Sequence, residues 1–151
     1  MTKMKLSFQI EINSTQEKVF EWLDQPEKAL MWMKSVRSTK ILNDMPGRVG
    51  TTFIEMVEEN GKSTELQGVI TAFKPGHMIS FKLTGIYNDT EVLYQVNGSK
   101  EKTLLTIDAS IRFKSFTKIV MFFMGPIFKK KIKTQFTSEI EMLKKLCEQD
   151  G

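Results

Sequence analysis

The chain has one cysteine, one histidine and four prolines in 151 residues. A lone Cys147 rules out an intramolecular disulfide and leaves no thiolate cluster for zinc or an iron–sulfur centre, which suits a reducing compartment. A lone His77 removes any two-histidine metal site, and no spacing of Cys, His or carboxylates favours zinc, so neither metal nor cofactor is expected. His77 directly follows Pro75-Gly76 at the start of a strand pattern, the place of an exposed turn residue. No G-x-S-x-G occurs, and Cys147 lies too near the C-terminus to be held as a nucleophile. The nine glycines are scattered at turns, so phosphate-loop and dinucleotide signatures are absent. A long hydrophobic run is missing as well. Ile119 to Phe128 is uncharged but covers only half of the about 20 residues a membrane span needs, and it contains Gly125-Pro126. The opening MTKMKLSFQIEI lacks the apolar core of a signal peptide, and a cytoplasmic location is the expectation.

Hydrophobic residues at 40% and charged residues at 26% are globular proportions. With no repeat, low-complexity tract or linker, residues 1–151 read as one domain, able to bury roughly two-thirds of its unfolded surface. The net charge of +4 is unevenly placed. Between Ala109 and Ser138 lie seven basic residues and no acid, so the rest of the chain is net acidic. Any anionic partner therefore meets that segment.

KLSFQIEI alternates, with Leu6, Phe8, Ile10 and Ile12 on one face, as a half-buried strand does. In STQEKVFEWLD, Ser14 and Glu17 have capping-box spacing ahead of an apolar stripe of Val19, Phe20 and Leu23. Pro26 suits the first turn of a second short helix, PEKALMWM. From Val36 to Phe113 the punctuation is that of antiparallel strands. Pro46-Gly47 and Gly50, Asn60-Gly61, Pro75-Gly76 and Asn97-Gly98 divide six strand patterns. In these, Ile79, Phe81 and Leu83 share a face, as do Val92, Tyr94 and Val96, and Leu105, Ile107, Ala109, Ile111 and Phe113. From Pro126 to Cys147 a helical stripe of Phe128, Ile132, Phe136, Ile140, Leu143 and Leu146 returns. The fold class expected is α+β: a curved antiparallel sheet of about seven strands, two short helices after the first, and one long helix to cover the concave face. A sheet that grips a helix in this way leaves a hollow between them.

The opening FQIEINSTQEKVFEWLDQPEKALMWM, the pair VGTTFIEMVEENGKSTELQGVITAFKPGHMISFKL with its F-x-P turn, and a final helix with a Gly-Pro break carry a resemblance. The sequence resembles, over nearly its whole length, the START-like, helix-grip superfamily, also called SRPBCC, which includes the polyketide cyclase/dehydrase and lipid-transport families. The resemblance implies a cavity for a hydrophobic small molecule or lipid between the sheet and the C-terminal helix. Members bind sterols, lipids, quinones, polyketides or plant hormones; some are cyclases and some regulate other proteins. These marks are architectural and name no ligand.

The residues expected to line such a cavity are Trp32, Glu55, Phe81, Tyr94, Met121, Phe122, Met124, Phe128 and Ile132. Glu55 shares a face with Phe53 and Val57; if that face is inward, its carboxyl has a raised pKa and suits a general acid or base. The pattern fits equally well with Thr52, Ile54 and Met56 inward. Tyr94 between two valines is expected inside, where its hydroxyl needs a partner or a ligand oxygen. Ten methionines make an adaptable apolar surface, with Met31, Met33, Met56, Met121 and Met124 as candidates beside Phe123. Plain core packing explains them equally. Pro126 clashes with the carbonyl four residues earlier, so the helix is expected to kink or restart there, making the preceding Met121 to Met124 a hinged lid. Lys129, Lys130, Lys131 and Lys133 then hold the rim positive, for an anionic head group or transient contact with an anionic membrane surface, or simply solvate the helix. Nucleic acid is not expected, because no helix-turn-helix or aromatic RNP strand accompanies the charge. Binding without catalysis leads; a cyclase- or hydratase-type enzyme using an acid in the cavity, or a protein-interaction module, are the alternatives.

Overall fold

The alternating stretches pair into one antiparallel sheet. The computed structural model describes residues 3–59 and 61–150, and the side chains of all of these except 59 and 115–124. In chain order the elements are β1 (Lys3–Ile12), α1 (Gln16–Asp24), α2 (Pro26–Trp32), β2 (Val36–Asn43), β3 (Thr52–Glu59), β4 (Lys62–Lys74), β5 (Met78–Thr84), β6 (Asn88–Gly98), β7 (Thr103–Phe113) and α3 (Ser115–Gln149). The strands lie in the order β1-β7-β6-β5-β4-β3-β2. The long excursion through two helices carries the chain from one edge of the sheet to the other, and each later strand folds back beside its predecessor. Register shifts interrupt the β2–β3 and β4–β5 pairs, and irregularities of this kind bend and twist a sheet.

Local chemistry explains most boundaries. The Thr15 hydroxyl accepts a hydrogen bond from the Lys18 amide at the start of α1, so Thr15 is the N-cap rather than Ser14. Ser14 is instead buried, and its carbonyl accepts from the Thr103 hydroxyl at 2.8 Å. Pro26 does open α2. Pro75-Gly76 forms a turn closed by the His77 amide on the Lys74 carbonyl, with Gly76 at φ +74°, a conformation glycine adopts without strain. The Asn97-Gly98 signal is displaced: β6 runs through Gly98, and the turn is made by Ser99 to Lys102.

One expectation about the last helix is corrected. α3 runs without a break from Ser115 to Gln149, with Pro126 inside it, rather than restarting at Pro126. At 35 residues it is about 52 Å long. Its C-terminal half packs on the sheet and the short helices through Ile140, Leu143 and Cys147, all buried, while Phe136 stacks on Phe8 at 5.5 Å. The core is continuous from these residues through Leu105, Ile107 and Val92 to the underside of α1 and α2.

Candidate functional site

β3 decides what chemistry reaches the inside. Phe53 and Glu55 lie buried on its inner face, and Thr52, Ile54 and Met56 occupy the other. Glu55 stands opposite Thr39 of β2 and Leu66 of β4. Phe53 faces Gly68 on β4, and its ring lies over that glycine so closely that a Cβ there would come within 2.3 Å of the ring. The glycine fixes where Phe53 sits.

Four aromatic rings run on from that point. Phe53 meets Phe81 edge-on at 6.2 Å, Phe81 meets Tyr94 at 5.6 Å, and Tyr94 meets Trp32 of α2 at 6.3 Å. The indole N–H of Trp32 donates to the Trp22 carbonyl at 2.8 Å, which locks α2 onto α1 and holds the ring over the sheet. Beside these rings lies a recess of about 70 Å³ between the sheet and the short helices. Leu23, Asp24, Pro26, Ala29 and Met33 bound it above; Thr39, Ile41, Phe53, Glu55, Ile70, Ile79, Phe81 and Tyr94 bound it from the sheet, and Arg48 and Thr51 close the side.

Of the residues expected in a cavity, Glu55, Phe81 and Tyr94 are brought together here. Trp32 is buried behind Tyr94 without lining the space. Phe128 and Ile132 do not reach it; both are half-buried on α3. Among the described residues no α3 side chain borders this recess; the side chains of residues 115–124, the first part of α3, lie outside the described ones. Met121, Phe122, Phe123 and Met124, the proposed lid, lie outside the described side chains. Of the other methionines, Met33 lines the recess, Met31 is exposed and Met56 points away. Lys129, Lys130, Lys131 and Lys133 are exposed on α3, away from the recess. A second, open groove of about 850 Å³ lies at the far end of β4, lined chiefly by polar groups such as Ser63, Glu65, Gln67 and Lys114.

The recess is electrostatically unusual. Burial pushes the Glu55 carboxyl up to about 7, with no cation or hydrogen bond among the described residues to offset it. Burial raises Tyr94 too, and the neighbouring Glu55 and Glu139 carboxyls raise it further, so the hydroxyl stays protonated. Glu139 of α3 is buried; burial raises its pKa, opposed by the backbone amide of Lys34, which donates to it at 2.6 Å. Asp24 is raised by burial although Arg48 donates to it at 2.7 Å. At neutral pH the inner wall can therefore offer a protonated acid and a phenol side by side, both donors to an oxygen.

Asp24 and Arg48, which line the recess, and Glu139, which lies close to Tyr94 without lining it, were not among the residues expected there. Asp24 and Arg48 lie 24 positions apart and carry no local signal. Glu139 did carry one, because it falls between Phe136 and Leu143 on the apolar stripe of α3. Among the described residues no three of His, Cys, Asp and Glu gather as metal ligands, and no helix is long and apolar enough to cross a membrane.

A family model described as polyketide cyclase / dehydrase and lipid transport matches residues 3–148. The chain superposes on a START superfamily protein from Mycobacterium smegmatis with a TM-score of 0.78 at 18% identity, covering 97% of this chain and 99% of that one. An aromatase/cyclase from Streptomyces gives 0.77 at 10% identity over 97% and 94% of the two chains. A protein of Thermus thermophilus gives 0.77 at 14% identity over 94% and 95%. At such identities the likeness is one of fold, the helix-grip arrangement of a curved seven-stranded sheet and a long C-terminal helix. No curated protein matches the sequence.

Proposed function

Because the chain belongs to the polyketide cyclase/dehydrase and lipid transport family, we propose that it binds a hydrophobic small molecule whose oxygen-bearing end enters the recess at Glu55 and Tyr94. The observation that carries this reading is the buried Glu55 carboxyl, which lies among apolar rings with no hydrogen-bond or ion-pair partner among the described residues. An uncompensated buried carboxyl costs stability, and a fold keeps one where something else satisfies it. The free space of about 70 Å³ equals about two waters, so it takes the end of a molecule. Ile41, Met45 and Val49, exposed on β2 and the loop after it, offer apolar surface to the remainder.

The test is native mass spectrometry of the protein purified without denaturation, with fluorescence of anilinonaphthalene sulfonate as a second measure. A co-purifying apolar molecule, or dye binding lost in Glu55→Leu, supports the reading. A chain that is always empty and binds no dye ends it.

The same carboxyl favours a second reading, in which Glu55 exchanges a proton with the bound molecule while Tyr94 hydrogen-bonds its oxygen. A carboxyl near 7 is matched to such work. Recovery of the co-purified molecule unchanged after incubation supports binding alone. Its conversion by the wild type and not by Glu55→Gln supports proton transfer.

A further inference from the structure

The recess leaves the most strongly charged part of the chain without a role. Lys129, Lys130, Lys131 and Lys133 are all exposed on α3 and do not line the recess. Among the described residues none of the four forms an ion pair, whereas Lys28, Lys102, Lys114 and Lys144 each have a carboxylate partner. Their surroundings carry one sign. Between Ala109 and Ser138 the chain has no acid, and the first that follows, Glu139, is buried on the Lys34 amide and adds nothing to the outer face.

Helical geometry gathers the lysines with an apolar residue. At about 100° of turn per residue, Phe128, Ile132 and Phe136 fall within about 80° of one another, and all three are half-buried against the protein. The opposite arc holds the four lysines with Pro126, Ile127 and Thr134, every one of them exposed. Ile127, flanked on that arc by Lys130 and Lys131, is 64% exposed. A large apolar side chain set in water among unpaired cations fits a partner that is anionic at its surface and apolar just beneath.

We infer that this outer face of α3, Pro126 to Thr134, docks on an anionic phospholipid surface, with the lysines at the charged headgroups and Ile127 entering the layer below them. The contact goes beyond the reading of the recess and does not depend on it. A second copy of the chain, meeting this face with its own, would set lysine against lysine. Nucleic acid would leave the isoleucine without a partner, and no groove-reading helix pair or aromatic strand accompanies the charge. Because the rest of the chain is net acidic, an anionic surface repels it while drawing α3 in, so the molecule approaches in one orientation.

The test is cosedimentation of the full-length protein with vesicles of pure phosphatidylcholine, or of phosphatidylcholine with about one-third phosphatidylserine. Each lysine near such a surface contributes about fivefold, so wild type is expected to prefer the anionic vesicles by at least about a hundredfold at about 0.1 M salt and to lose most of that at about 0.5 M. Changing the four α3 lysines together to glutamine is expected to abolish the preference. A control that combines Lys40→Gln, Lys62→Gln, Lys74→Gln and Lys100→Gln removes the same charge from exposed positions elsewhere and is expected to stay within about threefold of wild type. Lysine and glutamine have nearly equal helix propensity, and circular dichroism checks that both variants keep the fold. Failure of wild type to bind the anionic vesicles overturns the inference. So does an equal loss in the two variants, which would assign the attraction to net charge alone. Displacement of the bound protein from vesicles by a single-stranded oligonucleotide at equal phosphate also overturns it, and gives the lysines to nucleic acid. None of these results bears on what the recess holds, which native mass spectrometry decides separately.

Discussion

Replacing Glu55 by glutamine removes a titration and leaves the shape nearly intact. In the unfolded chain this carboxyl ionises near its ordinary value of 4.5, whereas in the folded chain burial holds it protonated to about 7. Between those pH values the unfolded state has released its proton and the folded state has kept it, so the unfolded state gains as pH rises. Stability tied to this residue is fully present below 4.5 and is lost as pH climbs to about 7. At about 1.4 kcal/mol per pH step the loss comes to about 3 kcal/mol. Asp24 and Glu139, also raised, slope the same way, but they are common to both proteins and cancel in the comparison. Urea unfolding of wild type and Glu55→Gln from pH 4.5 to 8 is the assay. The difference between the two stability curves should move by about 3 kcal/mol in favour of the variant over that range. Any constant offset reflects the new amide and is set aside. Parallel curves would refute the reasoning, because they would mean that Glu55 is ionised in the folded protein at the same pH as in the unfolded one.

Removing the α1 cap with Thr15→Ala should cost about 1 kcal/mol in urea unfolding, whereas Ser14→Ala, which keeps the backbone bonds to Ile12 and Thr103, should cost less than half of that. Equal losses would restore Ser14 as the cap. Gly68→Ala drives a methyl into the Phe53 ring and should destabilise by about 1–3 kcal/mol, with a shifted near-ultraviolet aromatic spectrum. An unchanged spectrum would show that the ring is free to move. The Cys147 thiol is fully buried, and burial pushes it up to about 12. Its reaction with an aromatic disulfide reagent at pH 8 should therefore be at least about a hundredfold slower in the native protein than in urea. A comparable native rate would contradict the docking of the helix end.

Much of the fold was written in periodicity. Leu105 to Phe113 alternate as β7 does, Val92, Tyr94 and Val96 turn inward together, and Pro26 opens a helix, because each depends on neighbours within a few residues. The signals that failed were local ones with a nearby competitor. Ser14 and Thr15 both suit an N-cap, and it is Thr15 whose hydroxyl takes the Lys18 amide, while Ser14 lies buried beside Thr103 of the neighbouring strand. Pro126 announced a break, yet α3 continues through it, since one missing N–H does not end a helix 35 residues long.

By itself, then, the sequence determined the strands, the helices, their order and the class of the fold, for these follow from spacing along the chain. It left open which face of β3 points inward, because both faces carry apolar residues. Pairing with β2 and β4 placed Phe53 and Glu55 beneath the short helices. Tertiary structure also assembled the recess: α2 sets Trp32 against Tyr94, and residues of α1, α2, β2, β3, β4, β5 and β6 meet around one small space. Arg48 meets Asp24 for the same reason, in that residues distant in the chain acquire their chemistry only from what packing sets beside them.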